Sequence, residues 1–256
     1  MSGWRRGMRT YGLVVVFFLA GWQAISWIVP RFALSSPWET VQTLVYLLSQ
    51  SWFFSHLSIT LYETILAYLF VILTGLSVGI VLGLSRFWGE VAEPYIVSIY
   101  SLPKVLLYPI FLILFTVGAA SKIAFGWFHG IFPLIIMTRN TVKNINPVYL
   151  KIAYSFHLNF FQLFKAILLP YALPSIVTGL RLGFNLTLLG VVLGELIASS
   201  RGLGYLLAAR AAEGFIVEEV IAIVLFLFLF ALAINGGFGL WERSLTRGER
   251  AARYGR

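Results

Sequence analysis

The sequence predicts an all-α integral membrane protein of about six transmembrane helices, and three observations carry that prediction. Hydrophobic residues make up 59% of the chain and charged residues only 11%, against roughly 25% charged in an ordinary soluble domain. Two uncharged runs, 64–85 and 220–241, are long enough to cross a hydrocarbon core about 30 Å thick. The basic residues sit in short segments between the apolar stretches, which is how a membrane protein is oriented. A soluble fold could not hide that much apolar surface.

The spans fall at 11–29, 59–84, 94–117, 122–142, 173–197 and 217–241, all within one transmembrane domain covering 1–256. The first follows Arg5, Arg6 and Arg9 and so has the charged and apolar regions of a signal peptide. No small-residue cleavage site follows it, and Trp22 and Trp27 suit the membrane interface, so it reads as a retained helix. Next, 36–50 opens with Pro37 and places Val41, Leu44, Val45 and Leu48 at helical spacing. That pattern predicts an amphipathic helix lying on the membrane. In the second span Gly75, Gly79 and Gly83 recur every four residues, as Gly179/Gly183 and Gly190/Gly194 do in the fifth. Small residues at this spacing let helix backbones approach closely in lipid. Packing within the chain is the expected use, with a dimer seam as the alternative. Pro103, Lys104 and Pro109 interrupt the third span, and His129 and Pro133 the fourth.

Orientation follows from the basic residues. With the N-terminus inside, thirteen Lys and Arg fall in inner segments and four (Arg31, Lys122, Arg201 and Arg210) in outer ones. The positive-inside rule therefore puts both termini in the cytoplasm. The same placement explains the net charge of +9 without nucleic acid.

Several functions are excluded or disfavoured. With neither Cys nor Asp and three widely separated histidines (His56, His129, His157), no metal site or catalytic triad is expected. No Gly-x-x-x-x-Gly-Lys-[Ser/Thr] loop occurs, so the chain cannot hold ATP in that way. An ion-coupled secondary transporter is the rival reading. Its candidate intramembrane groups, Glu195, Arg181, Lys104 and His129, are spread over three helices with no carboxylate pair.

The fourth and fifth spans are joined by about thirty residues, 143–172, far more than a usual connection. This link is inner by the charge count, looks helical, and carries Phe156, Phe160, Phe161 and Phe164. Such an apolar helix outside the bilayer needs a groove to cover it; otherwise it is re-entrant or interfacial. Physical reasoning alone leaves both readings open.

The same stretch resembles the cytoplasmic coupling loop of ABC importer permeases, whose pattern is Glu-Ala-Ala, three residues, Gly, nine residues, then Ile-x-Leu-Pro. Ile167, Leu168, Leu169 and Pro170 fit its end and Ala153 its third position, while Lys151, Ile152 and His157 depart from Glu, Ala and Gly. Around it, Leu169-Pro-Tyr-Ala-Leu-Pro174, Thr178-Gly-Leu-Arg181, Gly194-Glu-Leu-Ile-Ala198, Arg201-Gly-Leu-Gly-Tyr205 and Gly118-Ala-Ala-Ser-Lys122 resemble the nitrate/sulfonate/taurine/bicarbonate-type permeases in order and spacing. The resemblance covers most of the chain after Ser36.

It implies a type I ABC importer permease fold in a bacterial inner membrane, with cytoplasmic coupling helices. It also implies a second copy of the chain, a cytoplasmic ATPase dimer that binds ATP and Mg²⁺, and a periplasmic or lipid-anchored binding protein. The coupling residues would be Lys151, Ala153, Phe156, His157, Phe160, Phe164, Ile167, Leu169 and Pro170. On the fifth span, Thr178, Arg181 and Asn185 share one helical face and are expected to line the pathway, although for Arg181 a structural role, hydrogen-bonding helix ends or the coupling loop, is preferred. Glu195 and Ser199 would guard its outer end, with Glu195 closing on Lys122 or Arg201 or else anchoring the loop beside it. A small organic anion such as a sulfonate or taurine is the favoured cargo, with a thiamine pyrimidine precursor, nitrate or bicarbonate as alternatives.

Overall fold

The computed structural model describes residues 2–30, 33–214 and 217–254, with helices throughout and no strand among them. Three helices form the centre: α3 (Ser51–Leu84), α6 (Ala119–Lys143) and α9 (Leu169–Ala198). Their contact is made by the glycines that the spacing singled out. A Cβ on Gly75, Gly79 or Gly83 would press on Leu134, Thr138 or Val142 of α6, and one on Gly183 would meet the Gly130 carbonyl. Backbones this close give van der Waals contact along the whole crossing, which is what holds helices together where lipid is as apolar as leucine. The glycine stripes are therefore seams within the chain. As the middle helix, α6 is covered on nearly every side at Phe125, Gly126, His129 and Gly130.

The flanking helices are α1 (Ser2–Ile28), α2 (Pro37–Leu47), α10 (Leu203–Ala212) and α11 (Val217–Tyr254). Ser36 caps α2 reciprocally with Glu39, and Pro37 stands in its first turn, where a missing N–H costs nothing. One side of α2 is docked: Leu44 and Leu47 are buried with Phe53, Leu206 and Ile223, while Val41 and Val45 face outward. Trp22 of α1 donates its indole N–H to the Ser35 carbonyl at 3.0 Å.

The third predicted span is not one rod. It divides into α4 (Arg86–Ser101), a 3₁₀ turn (Lys104–Leu107) and α5 (Tyr108–Phe115), bent by 91°. Leu102 is extended, at φ −66° and ψ 145°, because the ring of Pro103 disfavours the helical region for the residue before it. Among the described residues four helices, Ser51–Leu84, Ala119–Lys143, Phe161–Ala198 and Val217–Leu245, are long and apolar enough to span, and the bent pair, counted as one broken span, brings the number to five. Within α1 the described apolar stretch is shorter, Gly12–Ile28. Lys104 lies at the bend, where its ammonium donates to the Tyr100 carbonyl at 2.8 Å and sits over the Tyr100 ring. A cation is well placed at the end of α4, where the carbonyls point outward.

Candidate functional site

At one end of the bundle the three central helices share a buried polar cluster. Thr60 and Glu63 lie three residues apart on α3, hence on one face. Lys122 enters from the start of α6 and Glu195 from the end of α9; these four residues are 0–4% exposed. The Lys122 ammonium lies 2.6 Å from Glu63 Oε1 and donates to Ser199 Oγ at 3.0 Å. Thr60 donates its hydroxyl to the Glu195 carboxylate at 2.8 Å and accepts the Leu203 N–H at 2.8 Å. Glu195 Oε2 also accepts the Gly204 N–H at 2.8 Å, and His56 Nδ1 accepts that of Gly202 at 3.0 Å.

The loop backbone can reach these acceptors only because glycine stands where it does. Gly202 adopts φ +105°, and a Cβ there would collide with the Glu195 carboxyl; one on Gly204 would strike the Val192 carbonyl. The loop after α9 is thus pinned to α9 and α3 by its own amides.

The structure brings together three residues marked from the sequence, Lys122, Glu195 and Ser199, but pairs them differently. Glu195 is held by Thr60 and Gly204, whereas the ion-pair partner of Lys122 is Glu63. Arg201 is exposed and contributes its backbone N–H to Ser199 Oγ at 3.2 Å. The expectation of no carboxylate pair is corrected, since α3 and α9 each bury a carboxyl in this one cluster, Glu63 beside Lys122 and Glu195 beside Thr60. Sequence reasoning missed Glu63 and Thr60. The available signal was a lone acidic residue inside the predicted span 59–84, three positions after a threonine.

Thr178, Arg181 and Asn185 do share one face of α9, and in the single chain that face is occupied by α11. Thr178 donates to Glu242 at 2.9 Å, Arg181 pairs with Glu242 at 3.3 Å, and the Asn185 and Asn235 amides exchange two hydrogen bonds of 2.9 Å. Arg181 is a structural partner of α11, and its ion pair is to Glu242 rather than to a helix end or the link.

At the opposite end lies the long link. It forms α7 (Pro147–Ser155), α8 (Phe160–Leu163) and a π-helical turn (Phe164–Leu168) that runs into α9. His157, at the position of the family's glycine, has φ 49°, and the Leu158 N–H bonds back to the Ala153 carbonyl at 3.0 Å. This is a left-handed helix stop of the Schellman type, made without glycine. Asn159 then caps α8 reciprocally with Gln162, both bonds being 2.9 Å. Two tight local devices therefore fix the angle between the short helices.

The phenylalanines divide between two sides. Phe164 and Ile167 pack partly buried against Val142, Ile145 and Leu168, and Ala153 is buried. Phe156 and Phe161 point outward, 75% and 81% exposed, and Lys151, His157, Leu169 and Pro170 are exposed with them. The Phe160 side chain lies outside the described ones. Behind the link is a cavity of about 650 Å³ lined by Gly83, Arg86, Glu90, Lys143 and Leu163.

Residues 71–247 match the family described as binding-protein-dependent transport system inner membrane component. The chain belongs to that family, the ABC importer permeases. Among similar proteins, the putative aliphatic sulfonates transport permease protein SsuC of Bacillus subtilis is 30% identical over 207 residues, 80% of this chain and 74% of that protein. The formylaminopyrimidine transport permease protein ThiX of Halalkalibacterium halodurans is 34% identical over 68% of this chain and 69% of its own. The taurine transport system permease protein TauC of Escherichia coli is 31% identical over 75% and 69%. An inward-facing structure of the MetNI methionine ABC transporter superposes with a TM-score of 0.66 at 17% identity, covering 74% of this chain and 94% of that one. The permease therefore has the type I importer fold. The family match takes in the link 143–172 and the α9–α11 seam, yet begins after Thr60 and Glu63.

Proposed function

We propose that this permease, paired with a second copy of itself, forms the pathway by which a small organic anion crosses the bacterial inner membrane. Its cargo is handed over by a periplasmic or lipid-anchored binding protein. Transport is driven by a cytoplasmic ATPase dimer that binds ATP and Mg²⁺ and grips the link 143–172. The observation that carries this reading is the exposure of Phe156, in the turn that closes α7, and Phe161, on α8, two short elements set by local caps. Aromatic side chains held out on a fixed frame are anchors for a partner's groove. The excess of Lys and Arg at that end favours the cytoplasm, with both termini on the same side. Relatives named for aliphatic sulfonates and taurine favour a sulfonate-like anion over the formylaminopyrimidine and nitrate of other relatives' names.

Three experiments test the proposal. Phe156→Asp with Phe161→Asp is expected to abolish co-purification of the ATPase, since each buried Phe contributes about 1.5–3 kcal/mol; retained binding with transport-linked ATP hydrolysis would refute the docking role. For orientation, the chain has no cysteine, so single cysteines report without background. A membrane-impermeant thiol reagent should label position 36 or 201 from outside spheroplasts and position 159 only in inside-out vesicles. The bonds from Thr60 and Gly204 favour Glu195 as an anchor of the outer loop. Glu195→Gln should then assemble and still need the loaded binding protein for ATP hydrolysis, whereas hydrolysis without it would make Glu195 a gate.

A further inference from the structure

The polar cluster has an uneven charge count. Two carboxyl groups, Glu63 and Glu195, and one ammonium, Lys122, are sealed from the surface together. Lys122 is matched at 2.6 Å by Glu63. Glu195 is met only by neutral donors, the Thr60 hydroxyl and the Gly204 N–H. Among the described residues no further cation reaches the two carboxyls, and Arg210 of α10, near His56, is paired with Glu213 and Glu219. Tyr108, from α5, is a phenol that donates to the Gly194 carbonyl, and His56, on α3, accepts the Gly202 N–H through Nδ1, as a neutral imidazole does. α10 contributes Tyr205, stacked on His56, and the Arg201 side chain lies outside at the surface. With both carboxyls ionised, one negative charge would stand uncompensated in a dry interior, which proteins avoid by taking up a proton.

A second observation points to the same ligand. Among the described residues Glu63 Oε2 is buried without a hydrogen-bond partner, in the same cluster where Thr60, one turn earlier on α3, holds the Glu195 carboxyl. Two carboxylate oxygens cannot bond to each other unless one of them carries hydrogen.

We propose that this cluster is a proton-binding site: one proton is held between the Glu63 and Glu195 carboxyls. It bridges α3 to α9 and makes the cluster electrically neutral. The two carboxyls are also what the loop after α9 fastens to, through Gly204 on Glu195 and through Ser199 on the Lys122 that Glu63 holds. Removing the proton at high pH sets two like charges against each other beneath that loop, and lifting the loop to admit water relieves them. Acidification acts separately, by protonating His56 and taking away the acceptor for Gly202. The loop is therefore tightest at intermediate pH.

Infrared spectra of the full chain in lipid at neutral pH test the proposal directly. The parent should show a protonated-carboxyl stretch, sensitive to deuterium, that disappears in Glu63→Gln and in Glu195→Gln. Ser200→Cys reports the loop through its labelling by a thiol reagent, normalised to a free thiol. Above the titration point the rate should rise by up to about tenfold per pH unit in the parent. It should stay flat with Glu63→Gln, whose amide donates to Glu195 at every pH. No such band in the parent would overturn the proposal and leave both carboxyls ionised, with water on Glu63 Oε2. A band surviving both glutamine variants, or labelling that rises equally with Glu63→Gln, would overturn it too. Should a variant fail to fold, the parent spectrum still decides.

Discussion

The two ends of this permease invert the usual rule of burial, each in its own direction. At the end carrying the loop after α9, Glu63, Lys122 and Glu195 are inside, and backbone amides are drawn in to meet them. At the end carrying the link between α6 and α9, Phe156 and Phe161 are outside. Buried charges persist only where partners surround them, so the first end is completed within the chain. Exposed aromatics on a fixed frame have the opposite meaning, because their favourable burial is still to come. The contrast teaches that one region is completed within the chain, whereas the other presents the apolar surface that the proposed docking would cover.

Mutations at the two ends should therefore differ in kind. Lys122→Met removes the one cation from the buried cluster and should cost about 3–5 kcal/mol, seen as a large drop in the thermal unfolding midpoint. Adding Glu63→Gln removes a charge that Lys122 balanced and should recover part of that loss; a double variant no more stable than the single would show that ion pairing is not what Lys122 provides. Gly204→Ala forces a methyl group against the Val192 carbonyl, which is backbone and cannot turn aside. A loss of about 1–3 kcal/mol is expected, together with faster labelling of a cysteine at position 200. At the other end the sign reverses: His157→Gly relieves a left-handed residue and should raise stability by about 1 kcal/mol, read from the same unfolding curve. The smallest change is expected from Phe161→Ala, within about 0.5 kcal/mol for the isolated subunit, while its affinity for the ATPase falls. A large loss of stability there would mean that the ring belongs to the subunit's own core.

Much of this contrast was legible in the sequence, for reasons that can be named. Helices in lipid need long uncharged runs and close backbones, and both leave one-dimensional marks: the runs themselves and the four-residue spacing of Gly75, Gly79 and Gly83. The bend at Leu102 was harder to see. Pro103 and Lys104 showed an interruption but gave no angle, because the direction of a break is set by what packs around it. On the link, apolar composition alone could not say which rings turn inward. Phe164 and Phe161 differ in the side of a short helix they occupy, and a π-helical turn shifts that phase. Least legible was Glu63, because its partners Lys122 and Glu195 are 59 and 132 residues away and meet it only after three helices have packed.

The π-helical turn has one more consequence. It joins the link to α9 without a break, so Phe161–Ala198 is a single helix of 38 residues. At about 1.5 Å per residue it is a shaft roughly 57 Å long. Its near end is where a partner would grip and its far end carries Glu195, beside the pinned loop. Tilting such a shaft by one degree about its near end displaces the other end by on the order of 1 Å. Hydrogen bonds are lost over displacements smaller than that, so a tilt of a degree or two at one face of the membrane is mechanically sufficient to unfasten the loop at the other.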